Sequence, residues 1–160
     1  MSSLYVIQLA EEPFGAKSKR IMDIDLCEDE LFKMRADFAR EPLREDELPR
    51  FFEYASRVFA PVATVDADKR TITFLDPKTV LEAYTNDFAL KTTKFLESLR
   101  QGKLDHWKYR RAIDAPFGIG DLIYGAGGDF CRTLPDVLED YTKGYVARTM
   151  YFGNILSCHC

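Results

Sequence analysis

Residues 4–9, Leu-Tyr-Val-Ile-Gln-Leu, form an almost unbroken apolar run, and this run constrains the fold more than any other feature of the chain. A strand that faces water on one side alternates apolar and polar residues. One that does not alternate is buried on both faces and belongs in the middle of a sheet. A chain of 160 residues, the length of one ordinary domain, buries roughly two-thirds of its unfolded surface. It therefore has enough core to cover such a strand without disulfide or metal staples.

Helical signals follow the first strand. Residues 28–40 carry Leu31, Met34, Arg35 and Phe38 at helical spacing, with Glu28, Asp29 and Glu30 at the start, where acids suit the helix dipole. Pro42 ends that segment. Between residues 47 and 59, Leu48, Phe51, Phe52, Ala55, Val58 and Phe59 make a clean amphipathic stripe, with Asp46 as N-cap and Pro61 as the stop. Residues 62–65 and 71–75 read as a hairpin around residues 66–70. Asp76-Pro77 opens a long helix to about Gln101, whose expected buried side is Leu81, Tyr84, Phe88, Phe95 and Leu99. A short helix is expected over residues 105–113. It is followed by a glycine-rich loop over 116–128 with a short strand at 121–124, a helix from Thr133 to near Gly144, and a long strand over 145–156. Ile21–Leu26 reads as a short strand.

This order shows neither strict βαβ alternation nor an internal repeat. It implies an α+β fold, a small mostly antiparallel sheet with helices packed on one side, in one domain over residues 1–160. The longest strongly apolar stretch, residues 58–65, is far shorter than the ~20 residues a spanning helix needs. No positive charge precedes Leu4, and Glu11 and Glu12 come early, which argues against a secretory signal. The expectation is a cytosolic protein without membrane contact. Cys27, Cys131, Cys158 and Cys160 are few and irregularly spaced, so no disulfide framework is expected. Cys27 and Cys131, among apolar neighbours, read as small buried hydrophobes.

Charge is distributed unevenly. Residues 1–60 hold nine Lys/Arg and thirteen Asp/Glu, while the remainder holds thirteen of each, so the whole net charge of −4 lies in the first 60 residues. It gathers at Asp23, Asp25, Glu28, Asp29 and Glu30, and again at Glu41, Glu45, Asp46 and Glu47. A solvated acidic surface keeps a protein soluble, and it also steers a basic partner.

Three further patterns carry chemistry. Arg100, Lys103, His106, Trp107, Lys108, Arg110 and Arg111 form the densest basic cluster, around the sole Trp. Such a cluster holds phosphates or single strands when its aromatic is free to stack, but the negative net charge disfavours nucleic acid. The glycines from Gly118 to Gly128 offer backbone N–H groups to an anion, without a P-loop or dinucleotide fingerprint. Cys158-His159-Cys160 holds soft metal ligands, but in a strand the cysteines point one way and the histidine the other, so no metal site is expected. No nucleophilic or acid–base set stands out, and no cofactor is implied.

The functional expectation is an acidic protein-binding module, a regulator or inhibitor of a protein partner, of which a basic, nucleic-acid-binding protein is one example. Its contact residues would be Asp23, Asp25, Glu28, Asp29, Glu30, Glu45, Asp46 and Glu47, with Trp107, Arg110 and Arg111 as a second surface. The alternative is a small enzyme or ligand-binding protein with an anion site between Arg110-Arg111 and the Gly118–Gly128 loop.

Overall fold

The computed structural model describes residues 3–160. Among these, seven strands join one mixed sheet: β1 (Ser3–Ala10), β2 (Phe38–Pro42), β3 (Ala63–Asp66), β4 (Thr71–Phe74), β5 (Leu122–Gly125), β6 (Gly128–Arg132) and β7 (Thr149–His159). Five helices accompany them: α1 (Glu30–Arg35), α2 (Leu48–Val58), α3 (Pro77–Arg100), α4 (His106–Asp114) and α5 (Leu134–Thr142), with 3-10 turns at Asp23–Leu26 and Pro116–Gly118. The fold class is α+β. Sheet order is β3-β4-β7-β1-β5-β6, and β2 also pairs with β7. Long β7 therefore serves two partners on one edge. Its start pairs with β4 (Ile72 opposite Met150), and its end pairs with β2 (Ala39 opposite Cys158). The β1–β5 pairing is parallel and the rest are antiparallel.

β1 is buried on both faces, as its apolar run requires. Ile7 and Leu9 enter the larger core, with Ile72, Phe74 and Phe152 from the sheet, Phe51, Phe52 and Ala55 from α2, and Leu134, Val137 and Leu138 from α5. Leu4 and Val6 enter a smaller core with Leu122, Cys131, Leu156 and Cys158, closed by Ile21, Leu26, Phe32 and Ala36. Helices α2 and α5 and the start of α3 thus share one face, while α1 and the Asp23–Leu26 turn cover the other. The one-sided arrangement expected from the element order is extended in this way because β1 leaves no face polar.

A β-bulge lets β7 serve both cores. Ile7 pairs with Ile155 and Leu9 with Phe152, so two steps along β1 oppose three along β7. The extra residue reverses the inside–outside alternation: Met150 and Phe152 point into the larger core, Leu156 and Cys158 into the smaller one. Gln8, only 6% exposed, fills the bulge. Its Oε1 accepts from Ile21 N (3.0 Å) and Asn154 N (3.1 Å), and its Nε2 donates to Lys19 O (3.0 Å). Glycine is required at 153, because a Cβ there would lie 2.5 Å from Gln8 Oε1 and 2.6 Å from Phe14 Cζ.

Several local expectations are corrected. The helix expected over 28–40 stops at Arg35, with Ala36 extended, and residues 38–42 become β2. The free edge at the end of β7 supplies ladder hydrogen bonds that outweigh the weak helical stripe, of which Met34 and Phe38 remain exposed. Ile21–Leu26 is not a strand; its later part is a 3-10 turn in which Asp25 Oδ2 accepts from Met22 N (2.8 Å). Gly128, read as the end of a loop, instead begins β6, which runs on through residues 129–132, for which no element was expected. The long strand lies at 149–159 rather than 145–156. In α3 only Val80 is buried, and Leu81, Phe88 and Leu99 stay in solvent. Helix α3 meets the core through its first turns and otherwise packs on α4 and the Pro116–Gly118 turn. No helix among the described residues is long and apolar enough to cross a membrane.

Candidate functional site

Acidic side chains converge where the Asp23–Leu26 turn, the start of α1 and β6 meet. Asp25, Glu28, Asp29, Glu30 and Asp129 surround an open cleft of about 490 Å³, with Leu31, Phe130 and Cys131 as its apolar part. Asp29 builds the corner. One of its carboxylate oxygens caps α1 by accepting from Phe32 N (2.9 Å), and the other accepts from Cys131 N (2.8 Å), which fastens α1 to β6. Lys33 Nζ lies 3.5 Å from Glu28 and 3.7 Å from Glu30, and Lys19 Nζ lies 3.9 Å from Asp25, so the cleft keeps a carboxylate excess. Phe130 is 49% exposed at the rim. Asp23 is exposed at the start of the turn and does not line the cleft.

Asp129 and Phe130 were missed by sequence reasoning because β6 was not expected. The signal available was the short alternation after the glycines, in which Phe130 and Cys131 face different ways.

Glu45, Asp46 and Glu47 do not join this cleft. They lie before α2, whose buried side packs on the opposite face of the sheet from α1. Their charges are met locally. Arg44 Nε is 3.2 Å from Asp46, Arg44 N donates to Glu47 Oε2 (2.7 Å), and Arg70 pairs with Glu45. Asp46 is not the N-cap; Glu47 holds that position without a side-chain capping bond.

On α4, capped by Asp105 accepting from Lys108 N (2.9 Å), Trp107 is 67% exposed and Arg110 Cζ lies 6.0 Å from its ring centroid. Arg111 is exposed one helical turn beyond Trp107. Tyr109 turns inward and stacks on Phe95 of α3, with ring centroids 4.3 Å apart. The glycine loop is split by β5. Gly118 and Gly120 precede that strand, whereas Gly125, Gly127 and Gly128 form its turn into β6. The turn is filled from within: Arg132 donates to Ala126 O (2.7 Å) and Asp140 Oδ2 (2.7 Å), and a Cβ on Gly127 would lie 2.6 Å from the Arg132 guanidinium. Gly127 thus makes room for a structural arginine, while a Cβ on Gly125 would meet Leu9 O at 2.7 Å and one on Gly128 would meet the Phe130 ring.

Burial raises the Cys131 thiol above its ordinary range, helped by the Asp29 carboxylate, and pushes Cys158 up to about 12. Both stay protonated, as core thiols do, whereas Cys27, expected to be buried, is exposed beside the Asp23–Leu26 turn. His159 lies 3.1 Å from Asp37 and stacks on Phe38, while Cys158 enters the smaller core. No group of three or more metal-ligating side chains forms among the described residues.

Asp121 is the buried carboxylate of the fold, 4% exposed. It accepts from Tyr5 N (2.8 Å) and from the Tyr54 hydroxyl (2.6 Å). Burial raises its pKa above the usual carboxylate value, and burial together with Asp121 raises that of Tyr54. No protein-family model, curated protein or solved structure matches the chain.

Proposed function

We propose that the chain is a protein-interaction module whose acidic cleft receives a basic segment of a partner protein, and that it regulates or inhibits the partner by occupying its Lys/Arg surface. The observation that carries this reading is the convergence of five carboxylates from three elements around Phe130. Clustered carboxylates accelerate encounter with a cationic surface and fix its register. An aromatic at the rim supplies apolar area on which the stems of Lys and Arg side chains can lie. The fixed geometry of Asp29, bonded to both α1 and β6, holds the cleft open without the partner.

The test is affinity capture from lysate, read by mass spectrometry, with wild-type protein, with Glu28→Lys/Glu30→Lys/Asp129→Lys, and with Arg110→Glu/Arg111→Glu. All the substituted residues are exposed, so the variants keep the fold. A partner held by wild type and by the α4 variant, lost from the cleft variant and weakened by salt, meets the expectation. Retention that ignores the cleft charges, or that depends on Arg110 and Arg111 instead, refutes it.

A further inference from the structure

The chain leaves more surface than its mass requires. A compact monomer of 18.4 kDa exposes about 8,200 Å², whereas this chain exposes 9783 Å². The surplus of about 1,600 Å² exceeds the ~800 Å² per partner of a standard protein interface. Part of it is an apolar seam along α3. Leu81, Thr85, Phe88, Thr92, Phe95 and Leu99 follow each other at spacings of four and three, the repeat with which helices pack side by side. Leu81, Phe88 and Leu99 are 52%, 44% and 41% exposed. Helix α4 lies on the adjacent flank, where its Tyr109 stacks on Phe95 (ring centroids 4.3 Å apart) and sets its hydroxyl 3.1 Å from Thr92 Oγ1, so these two seam residues are partly covered while Leu81, Phe88 and Leu99 keep their exposure.

We propose that a second copy of this chain covers the seam, α3 against α3 in antiparallel, two-fold symmetric fashion. The pattern is self-complementary under that symmetry. With the axis near residue 90, Leu81 meets Leu99 of the second copy, Phe88 meets Thr92, and Thr85 meets Phe95, each pair occurring twice. The charges agree. Glu82 and Arg100 are eighteen residues apart, about five helical turns, and so lie on the same flank of the seam. The antiparallel arrangement places Glu82 of each copy within about a turn of Arg100 of the other. A parallel pair would set each charge beside its own kind. The interface leaves the acidic cleft free, since the residues lining the cleft are all outside α3.

Sedimentation velocity of the full chain over a dilution series tests this. Wild type is expected to show a reversible monomer–dimer equilibrium, and Phe88→Glu to be monomeric with an unchanged far-ultraviolet spectrum, because Phe88 is not a core residue. Glu82→Arg alone is expected to weaken the dimer by at least about tenfold. Adding Arg100→Glu, which restores opposite charges across the axis, should recover most of that loss. Wild type monomeric throughout, a dimer indifferent to Phe88→Glu, or a charge swap that fails to rescue each overturns the proposal. So does a monomer whose seam instead retains a different protein in lysate, lost on Phe88→Glu.

Discussion

The sheet and the α3–α4 pair are built from similar residues and use them differently. In the sheet and its covers, strands contribute to one core or the other, and no buried side-chain nitrogen or oxygen lacks a hydrogen-bond partner among the described residues. In α3, one residue of 24 is buried, and in α4 none. Apolar periodicity alone therefore does not report what holds the fold; it reports a face that needs cover, from the same chain or from another. The largest effect that separates the two regions is an alanine at an aromatic. Phe51, 1% exposed with ring centroids 5.1 Å from Tyr5 and 5.9 Å from Phe152, is expected to lose ~3–5 kcal/mol on Phe51→Ala. Phe88→Ala, at concentrations where the chain is monomeric, is expected to lose less than ~1 kcal/mol. Urea titrations of both variants decide it, and equal losses would remove the distinction.

The next effect is steric. At Gly153 a methyl would displace Gln8 from the bulge and strand part of the set it satisfies, Ile21 N, Asn154 N and Lys19 O. Gly153→Ala is expected to cost ~1–3 kcal/mol, with faster amide exchange at Ile21 and Asn154 before any other core amide. Leu90→Gln, on the exposed side of α3, is expected to stay within ~0.5 kcal/mol of wild type. An alanine tolerated at 153 would mean that the bulge is not held by Gln8.

The same contrast explains what was legible in the sequence. The apolar run of β1 correctly implied two covered faces, and three elements were readable from one strong local signal each: the α2 stripe from its period, the β3–β4 hairpin from its turn, and the start of α3 from the Asp76-Pro77 cap. Residues 38–42 were not readable, because β2 exists only where β7 offers an edge, and that partner lies more than a hundred residues away in sequence. β6 was hidden for a related reason: Gly125, Gly127 and Gly128 read as loop, while glycine is required there by Leu9 O, the Arg132 guanidinium and the Phe130 ring respectively. In the candidate site, the carboxylates of residues 25–30 were visible as composition. Their convergence with Asp129 and Phe130 depended on that unseen strand, and their separation from residues 45–47 depended on which face each helix covers.

The smallest expected effect is one of pH, and it too belongs to the sheet, since the helix pair buries no charged side chain. Asp121 titrates above its unfolded value of about 3.9. Burial is the dominant cause, opposed by the bonds from Tyr54 and Tyr5. Between the unfolded and folded values the native state keeps a proton that the unfolded chain has released, so this group's contribution to stability falls as pH rises across that window and is constant on either side. The slope it adds is at most about 1.4 kcal/mol per pH unit. Asp121→Asn has no proton to lose, and its amide oxygen can still accept one of the two bonds. Subtracting its stability profile from that of wild type cancels every other carboxylate and leaves Asp121 alone. The difference is expected to move against wild type as pH rises above about 4. A flat difference would mean that water reaches Asp121 in the folded protein, and that the end of the sheet near Tyr5 is as open as the helix pair.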